Sequence, residues 1–197
     1  MNIVIIQYNA GNIQSVLYAL ERLGVQAMVT DNVELIQKAD KVIFPGVGEA
    51  STAMHYLKER GLDSVIQNLK QPVFGICLGM QLMCAYSEEN NTSCLGIFEE
   101  QVKLFKPTDS SNKVPQIGWN TIGSLKTNLF KGVSEESYAY FVHGYYAALG
   151  AHTIATTQYI QPYSSALQKN NFYGVQFHPE KSAKVGEQII QNFLNIS

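Results

Sequence analysis

The alternation of short β-branched runs with helix-period segments is the feature that most limits the folds open to this chain. In the first half, apolar runs at residues 3–6, 25–30, 41–44 and 73–76 are separated by stretches with apolar residues every three or four positions. This order is typical of βαβ units, in which consecutive strands are parallel and helices cover the sheet. The pattern predicts an α/β fold with a mostly parallel central sheet flanked by helices.

The remaining segments complete this outline. Apolar spacing between residues 13 and 23, followed by Gly24 as a C-cap, predicts a helix. Further helices are expected at 51–60, 62–69 and 183–194, and a loop at 107–113. After about residue 95, aromatic and β-branched segments indicate strands with more antiparallel pairing; they are 97–105, 119–122, 138–146, 153–159 and 172–177.

Length and composition exclude several classes of protein. The 197 residues suit a single domain spanning 1–197. Charged residues make up 15% and the net charge is -2, which does not fit a nucleic-acid binder or a polybasic membrane anchor. The N-terminal stretch lacks the pattern of a secretory signal, and the three cysteines match no zinc spacing. We therefore expect a cytoplasmic protein without a metal ion or cofactor.

Cys77 lies in the stretch GICLGMQ, where an apolar run ends and a helix-forming run begins. A nucleophile on such a tight strand-to-helix turn is exposed at the carboxyl edge of a sheet, and Gly75 and Gly79 remove side chains that would clash there. A helix N-terminus also stabilises a thiolate. Cys77 is therefore the candidate nucleophile, whereas Cys84 fits a core position and Cys94 has no base candidate nearby.

His178 is the histidine best placed to serve this nucleophile. It lies in YGVQFHPEKS, after an apolar strand that Pro179 ends, whereas His55 and His152 fall in patterns where structural roles are the default. Glu180, two residues on, can reach the imidazole Nδ1 and turn Nε2 toward a thiol, which is the relation of nucleophile, base and orienting acid in a triad. The tripeptide HPE alone is a weak signal.

The stretch PGVG at 45–48 directly follows the predicted strand 41–44. Its two glycines let the backbone turn N–H groups outward, and such donors can stabilise the oxyanion of an acyl-transfer intermediate. An ordinary strand-to-helix turn would use the same residues. The oxyanion interpretation gains weight because a second glycine-rich turn, at Cys77, is expected at the same sheet edge.

PGVG, GICLGMQ and YGVQFHPEKS, in this order and at these separations, resemble the motifs of class I (triad) glutamine amidotransferases, which have a flavodoxin-like fold. PQIGWN at 115–120 and YFVHGYY at 140–146 resemble stretches of the glutaminase subunits of imidazole glycerol phosphate synthase. The resemblance covers essentially the whole chain.

This resemblance implies a catalytic role for each matching residue. Cys77 would attack the side-chain amide of glutamine and form a γ-glutamyl thioester. His178 would protonate the departing ammonia and then activate water, and Glu180 would orient His178.

The resemblance also implies how the substrate is held. The oxyanion donors would be the backbone N–H of Leu78 and one from Val47 or Gly48. Glu89 is suited to the α-ammonium of glutamine. The positions matched to glutamine binding are Gly46, Gly48, Gln81, Glu89 and Tyr145.

The implied partner is a (β/α)₈ cyclase subunit with which the chain would form a heterodimer. In the family, ammonia entering this partner yields imidazole glycerol phosphate and an aminoimidazole carboxamide ribonucleotide in histidine biosynthesis. The residues matched to the subunit interface are Trp119, Asn120, Tyr140 and Lys181.

Some positions depart from the family pattern; they are Gln7, Asn9, Glu49, Ser51, Gln116 and Gly144. The departures at Gln116 and Gly144 leave open a paralogous subunit that feeds ammonia to another acceptor, such as a nucleotide-sugar pathway. A catalytically silent regulatory subunit is a second alternative, against which the intact triad argues. A related cysteine hydrolase of the protease or deglycase type would lack the QIGWN and HPEKS stretches.

Overall fold

A computed structural model describes residues 1–9, 11–107 and 112–196, so most of the loop expected at 107–113 lies outside the described residues. In chain order the elements are β1 (Ile3–Ile6), α1 (Ile13–Arg22), β2 (Ala27–Thr30), α2 (Val33–Lys38), β3 (Lys41–Phe44), α3 (Ala50–Glu59), α4 (Leu62–Gln67), β4 (Val73–Ile76), α5 (Leu78–Met83), β5 (Tyr86–Ser87), β6 (Thr92–Ser93), β7 (Gln101–Leu104), β8 (Gln116–Ile122), β9 (Ser137–His143), β10 (Tyr145–Ala147), β11 (Thr153–Gln158), β12 (Pro162–Lys169), β13 (Phe172–Val175) and α6 (Ala183–Leu194). One-turn 3₁₀ helices cover Glu89–Asn91, Asn128–Phe130 and Pro179–Lys181.

Five strands lie side by side and parallel, in the order β2, β1, β3, β4, β13. All residues of β1, β3, β4 and β13 are buried, which explains why these runs, apart from Lys41 at the start of β3, are apolar rather than alternating. Because the strands are parallel, their carboxyl ends meet at one edge of the sheet. The PGVG loop, Cys77 and His178 follow β3, β4 and β13 and therefore come together at this edge.

The second half extends the sheet with antiparallel strands, as the sequence predicts. β12 pairs with β13, β10 with β12 and β7 with β10, while β11 pairs with the other edge of β12. β8 and β9 form a separate antiparallel pair, with Trp119 opposite Tyr140. The predicted α/β class with a parallel part and an antiparallel C-terminal part is confirmed.

Helices cover the parallel sheet on both faces and divide the core into two layers. Ile3 and Ile5 of β1 pack with α1 and α6, whereas Val4 and Ile6 pack with α2, α3, α4 and α5. Phe193 of α6 stacks on the Phe74 ring of β4 at a centroid distance of 4.8 Å. Burying each such aliphatic or aromatic side chain contributes roughly 1.5–3 kcal/mol.

Four strands or α-helices were not anticipated from the sequence, namely β5, β6, β12 and α2, and one predicted strand is divided. The eight-residue strand β12 begins with a proline and contains Ser164 and Ser165, so its composition does not suggest a buried strand. Ser164 is nevertheless fully buried, because its hydroxyl donates to the Ala148 carbonyl at 2.8 Å. The short helix α2 was also missed. The segment 138–146 is interrupted at Gly144, which separates β9 from β10.

The glycines around Cys77 allow α5 to pack directly against the sheet. A Cβ atom at Gly79 would lie 1.8 Å from the Phe44 carbonyl oxygen, and one at Gly75 would lie 2.9 Å from the Met80 nitrogen. On β13, a Cβ at Gly174, which pairs with Gly75, would lie 2.5 Å from Met80 Cγ. The predicted reason for the glycines in GICLGMQ is therefore confirmed.

Gly79→Ala is expected to lower the free energy of unfolding by about 2 kcal/mol or more, since the added methyl group meets a backbone carbonyl that cannot move independently. Gly144→Ala is the matched control, because its nearest neighbours would lie 3.6 Å and 3.9 Å from the new Cβ. Denaturant unfolding of both variants measures the difference. Equal stabilities would show that the α5 contact with β3 is looser than described.

Candidate active site

Cys77 stands between β4 and α5 in a backbone conformation that side-chain-bearing residues rarely adopt, with φ 53° and ψ −110°. Its N–H donates to the Val175 carbonyl on β13 at 2.8 Å, and its own carbonyl accepts the N–H of Gln81 at 3.2 Å. The neighbouring strand and the first helical turn thus hold the residue from both sides. This conformation directs the thiol to the carboxyl edge of the sheet.

The sulfur atom of Cys77 is largely buried but opens onto a cavity of about 190 Å³. It lies 3.8 Å from the Val142 carbonyl oxygen and accepts an N–H from Gln176 Nε2 at 3.7 Å. The Oε1 atom of Gln176 in turn accepts an N–H from Gln81 at 2.9 Å. Gln176 was not identified from the sequence. Its position directly after β13 and two residues before His178 is the signal that could have identified it.

His178 and Glu180 form a buried pair beside Cys77. The Nδ1 atom of the imidazole lies 2.8 Å from Glu180 Oε1, which leaves Nε2 for the thiol, as predicted from the HPE spacing. Burial opposes protonation of His178, but hydrogen bonding and charge from Cys77 and Glu180 outweigh it and raise the pKa of His178 to about 10. The imidazole therefore carries a proton at neutral pH.

Asn12 completes this group and was missed in the sequence. Its Nδ2 atom donates to Glu180 Oε1 and lies 3.4 Å from His178 Nδ1. Asn12 is the N-cap of α1, in the loop that connects β1 to this helix, and has a left-handed φ of 73°. Its place at the carboxyl end of β1 is the signal that could have identified it, because that end meets the same sheet edge as Cys77.

His143 lies close to the cavity but is unsuited to act as a base toward the thiol. Burial lowers the pKa of His143 to about 4, so its ring is neutral at pH 7. Its Nδ1 atom donates to the Tyr145 carbonyl at 2.6 Å, and its Nε2 atom lies 3.3 Å from the Tyr163 hydroxyl. Both ring nitrogens are therefore engaged, one with β10 and the other with β12.

The PGVG loop passes directly over the elbow. The N–H of Leu78, a predicted oxyanion donor, donates to the Gly46 carbonyl at 3.2 Å, and the Val47 carbonyl accepts the N–H of Gly11 at 3.4 Å. Gly48 has a φ of +128°, which a residue with a side chain adopts only with strain. In this arrangement the Gly46 carbonyl occupies the Leu78 donor.

The cavity beside Cys77 brings together most of the residues predicted for substrate binding. Those that line it are Val47, Gly48, Leu78, Gln81, Glu89 and Tyr145, together with Val142, His143 and Gly144. Gly46 of the PGVG loop does not line the cavity, and a Cβ added to it would come 2.0 Å from the Tyr8 hydroxyl. A larger cavity of about 530 Å³ is lined by Lys131 and several amide side chains but by none of the residues predicted for the site.

The outer side of the β8–β9 pair presents an exposed apolar surface, which we call the aromatic face. It consists of Ile117, Trp119, Tyr138, Tyr140 and Val142, with Trp119 and Tyr140 in an edge-on contact at 5.8 Å. Lys181 is exposed directly after the buried Glu180. Asn120 alternates to the opposite side of the pair, where its Nδ2 donates to the Gln158 carbonyl at 2.9 Å. The structure therefore does not bring Asn120 together with the other predicted interface residues.

Within residues 1–9, 11–107 and 112–196, no group of three or more His, Cys, Asp or Glu side chains is arranged to hold a metal ion. None of the helices in these ranges is long and apolar enough to cross a membrane.

Comparison with known families and proteins gives a consistent result. The family described as glutamine amidotransferase class-I matches residues 4–196. The imidazole glycerol phosphate synthase subunit HisH of Bacteroides fragilis is 59% identical, with all of both chains covered. The HisH subunit of Pasteurella multocida is 47% identical over 98% of this chain and 97% of its own.

Solved structures agree on the fold. A structure described as a glutamine amidotransferase superposes with a TM-score of 0.74 at 18% identity, covering 98% of this chain and 97% of the other. PurLQS from Thermotoga maritima gives a TM-score of 0.69 at 16% identity, with coverage of 98% and 97%.

Cys77 is expected to react with iodoacetamide faster than Cys94, although Cys94 is the more exposed of the two. Burial raises the pKa of Cys94 to about 12 and that of Cys84 well above its usual value, so both remain thiols, while Cys77 lies beside a protonated imidazole. Peptide mass spectrometry after brief labelling measures the order. Cys77→Ser should remove the fast phase, and first labelling of Cys94 would contradict the assignment.

Proposed function

The chain belongs to the class I glutamine amidotransferase family, and we propose that it is the glutaminase subunit of an imidazole glycerol phosphate synthase. It hydrolyses glutamine to glutamate and ammonia, and a cyclase subunit uses the ammonia to make imidazole glycerol phosphate and aminoimidazole carboxamide ribonucleotide. The observation that carries the catalytic part is the strained Cys77 elbow beside the His178–Glu180 pair, with Nδ1 and Oε1 2.8 Å apart.

The geometry supports an acyl-transfer sequence at this pair. The Cys77 sulfur attacks the side-chain carbonyl carbon of glutamine, and the protonated His178 gives its proton to the nitrogen as the C–N bond breaks and ammonia leaves. The neutral imidazole then takes a proton from water, whose oxygen attacks the thioester carbon. Glutamate leaves, and the sulfur and the protonated imidazole are restored. Glu180 and Asn12 hold the ring in place through both halves.

The PGVG loop has to change before the oxyanion can be fully stabilised. The Leu78 N–H is accepted by the Gly46 carbonyl at 3.2 Å, so this donor becomes free only when that carbonyl moves away. Val47 or Gly48 supplies the second donor after such a movement. One oxyanion donor contributes roughly 100- to 1,000-fold to turnover. In the loop conformation of this structure, glutamine hydrolysis is therefore slow.

Glutamine is held in the cavity beside Cys77. Glu89 accepts the α-ammonium, while Gln81 and Tyr145 form the wall opposite the loop. The amide of Gln81 donates to the Tyr145 carbonyl at 3.0 Å and to Gln176, so its orientation is set before the substrate arrives. Gly46 and Gly48 let the loop backbone approach the substrate closely.

The aromatic face is the surface for the (β/α)₈ cyclase, with which the chain forms a heterodimer. β9 carries this face on its outer side and contacts the catalytic residues through its backbone. The Tyr140 carbonyl accepts the His178 N–H at 2.8 Å, and the Val142 carbonyl lies 3.8 Å from the Cys77 sulfur. A partner bound to Trp119, Tyr140 and Lys181 can therefore influence His178 and Cys77 through the backbone of β9 alone. We assign the reaction to the cytoplasm, since all three cysteines are free thiols.

In the complex with the cyclase, Cys77→Ser is expected to abolish glutamine hydrolysis and His178→Ala to lower kcat by roughly 10⁴-fold. Glu180→Gln should lower kcat less than His178→Ala does, because it removes the group that orients the imidazole but leaves the imidazole itself. It should also move the alkaline limb of the pH profile to lower pH, because the Glu180 carboxylate helps to raise the pKa of His178. Glutamate release against pH measures these effects, and Cys84→Ser is the control. Wild-type turnover in Cys77→Ser or in His178→Ala would refute the assignment.

The isolated chain is expected to be a poor glutaminase whose turnover rises roughly 100- to 1,000-fold with the cyclase and its nucleotide ligand. Trp119→Ser should weaken this activation without unfolding the chain, since the indole is about half exposed. Leu149→Ser, an equally exposed position on the loop after β10, is the matched control. Full activity of the chain alone would show that the PGVG loop needs no rearrangement.

A further inference from the structure

Glu49, the residue that follows the PGVG loop, ties together two segments that flank the glutamine cavity. Its Oε1 atom accepts the Ser51 N–H at 2.9 Å, the Ser51 hydroxyl at 2.5 Å and the Asn90 side-chain N–H at 2.7 Å. Its Oε2 atom accepts the Thr52 N–H at 3.0 Å and the Thr52 hydroxyl. With five donors aimed at two oxygens, this carboxylate has little capacity left to bind a ligand itself.

The neighbour of Asn90 is Glu89, which faces the cavity. Glu89 Oε2 accepts the N–H of Ala50 at 2.8 Å, so both carboxylates bind the first turn of α3 side by side. No further hydrogen bond of the Glu89 carboxylate is found among the described residues, which leaves Oε1 available toward the cavity. Partial burial raises the pKa of Glu89, so its exact placement decides how well it serves as an anion for an ammonium group.

Glu49 itself remains ionised across the physiological range. Its slight burial works against ionisation, but the donors of Ser51, Thr52 and Asn90 hold the pKa of Glu49 at about 2. A carboxylate that stays charged makes a stronger hydrogen bond to Asn90 than a neutral acceptor would. This bond joins the exit of the PGVG loop to the turn that carries Glu89.

We propose that Glu49 is a positioning residue for glutamine, which acts through Asn90 to hold Glu89 at a fixed place over the Cys77 cavity. This inference rests on the proposed function, in which Glu89 receives the α-ammonium. The α-ammonium is far from the scissile amide and has the same charge in the bound substrate and in the transition state. Loss of the contact should therefore raise KM for glutamine and leave kcat almost unchanged.

Two neighbouring asparagines provide a matched test. Asn90 and Asn91 both have a left-handed φ of 50° and both are exposed, but Asn91 bonds to the Tyr86 hydroxyl instead of Glu49. Glycine suits this backbone conformation, so Asn90→Gly and Asn91→Gly each remove one side chain with little strain. Glu49→Asp keeps a good N-cap for α3 but is one methylene too short to hold Asn90 in the same way.

The experiment uses the complex with the cyclase and two substrates, glutamine and glutaramate, which is glutamine without its α-amino group. It measures glutamate released from glutamine and glutarate released from glutaramate. Asn90→Gly and Glu49→Asp should each raise KM for glutamine about 5-fold, with kcat within about 2-fold of wild type. The double variant should be no worse than either single variant, since both remove one contact. Asn91→Gly should match wild type, and kcat/KM for glutaramate should be unchanged in all variants.

A thermal shift in Glu49→Asp or Asn90→Gly with KM unchanged would show that the contact only stabilises the fold and would overturn the inference. An equal loss for glutaramate would overturn it as well, because the effect would not depend on the α-ammonium. If the wild-type complex releases no glutamate at all, the proposed function fails and this inference fails with it. If the wild-type complex is active and Glu49→Asp and Asn90→Gly have the same KM for glutamine as wild type, the positioning role is wrong but the proposed function stands.

Discussion

The site depends on one backbone constraint, the left-handed conformation of Cys77 between β4 and α5. A conformation of this kind costs of order 1–3 kcal/mol and persists only where the surroundings fix it. Here the fixing comes from direct contact of α5 with the sheet, which requires glycine at Gly75, Gly79 and Gly174. The same close contact places the PGVG loop over the elbow and β13 beside it. The position of Cys77, the proposed nucleophile, is therefore a result of how tightly helix and sheet pack.

The parallel half of the fold and the meeting of Cys77, His178 and Glu180 could be predicted because both follow from local rules. Apolar runs with helical segments between them specify a parallel sheet, and a parallel sheet collects the ends of its strands at one edge. Cys77, His178 and Glu180 each stand just beyond such an end, so their meeting follows from topology. The spacing of His178 and Glu180 also predicted that the carboxylate contacts the imidazole Nδ1 atom, and the Nδ1–Oε1 distance of 2.8 Å confirms this.

Other features depend on long-range contacts that have no local pattern. Ser164 is buried in β12 because the Ala148 carbonyl lies within reach, and nothing near Ser164 in the sequence indicates this. Asn12 contacts Glu180 across 168 positions of the chain. The conformation of the PGVG loop decides whether the Leu78 N–H is free or donates to the Gly46 carbonyl. The sequence PGVG is compatible with both conformations. The orientation of Asn120 is different, since it faces away from Trp119 by the local rule that side chains alternate along a strand.

The division of labour along β9 has a consequence for how this surface can diverge. Tyr140 and Val142 contact His178 and Cys77 with their carbonyl oxygens, while their side chains belong to the aromatic face. Every amino acid has the same carbonyl group, so a substitution at either position can alter what the surface recognises and leave the support of His178 and Cys77 in place. The surface of β9 and its support of the proposed catalytic residues can thus change at different rates within a single strand, so that under the proposed function a new partner could be acquired without rebuilding the site around Cys77.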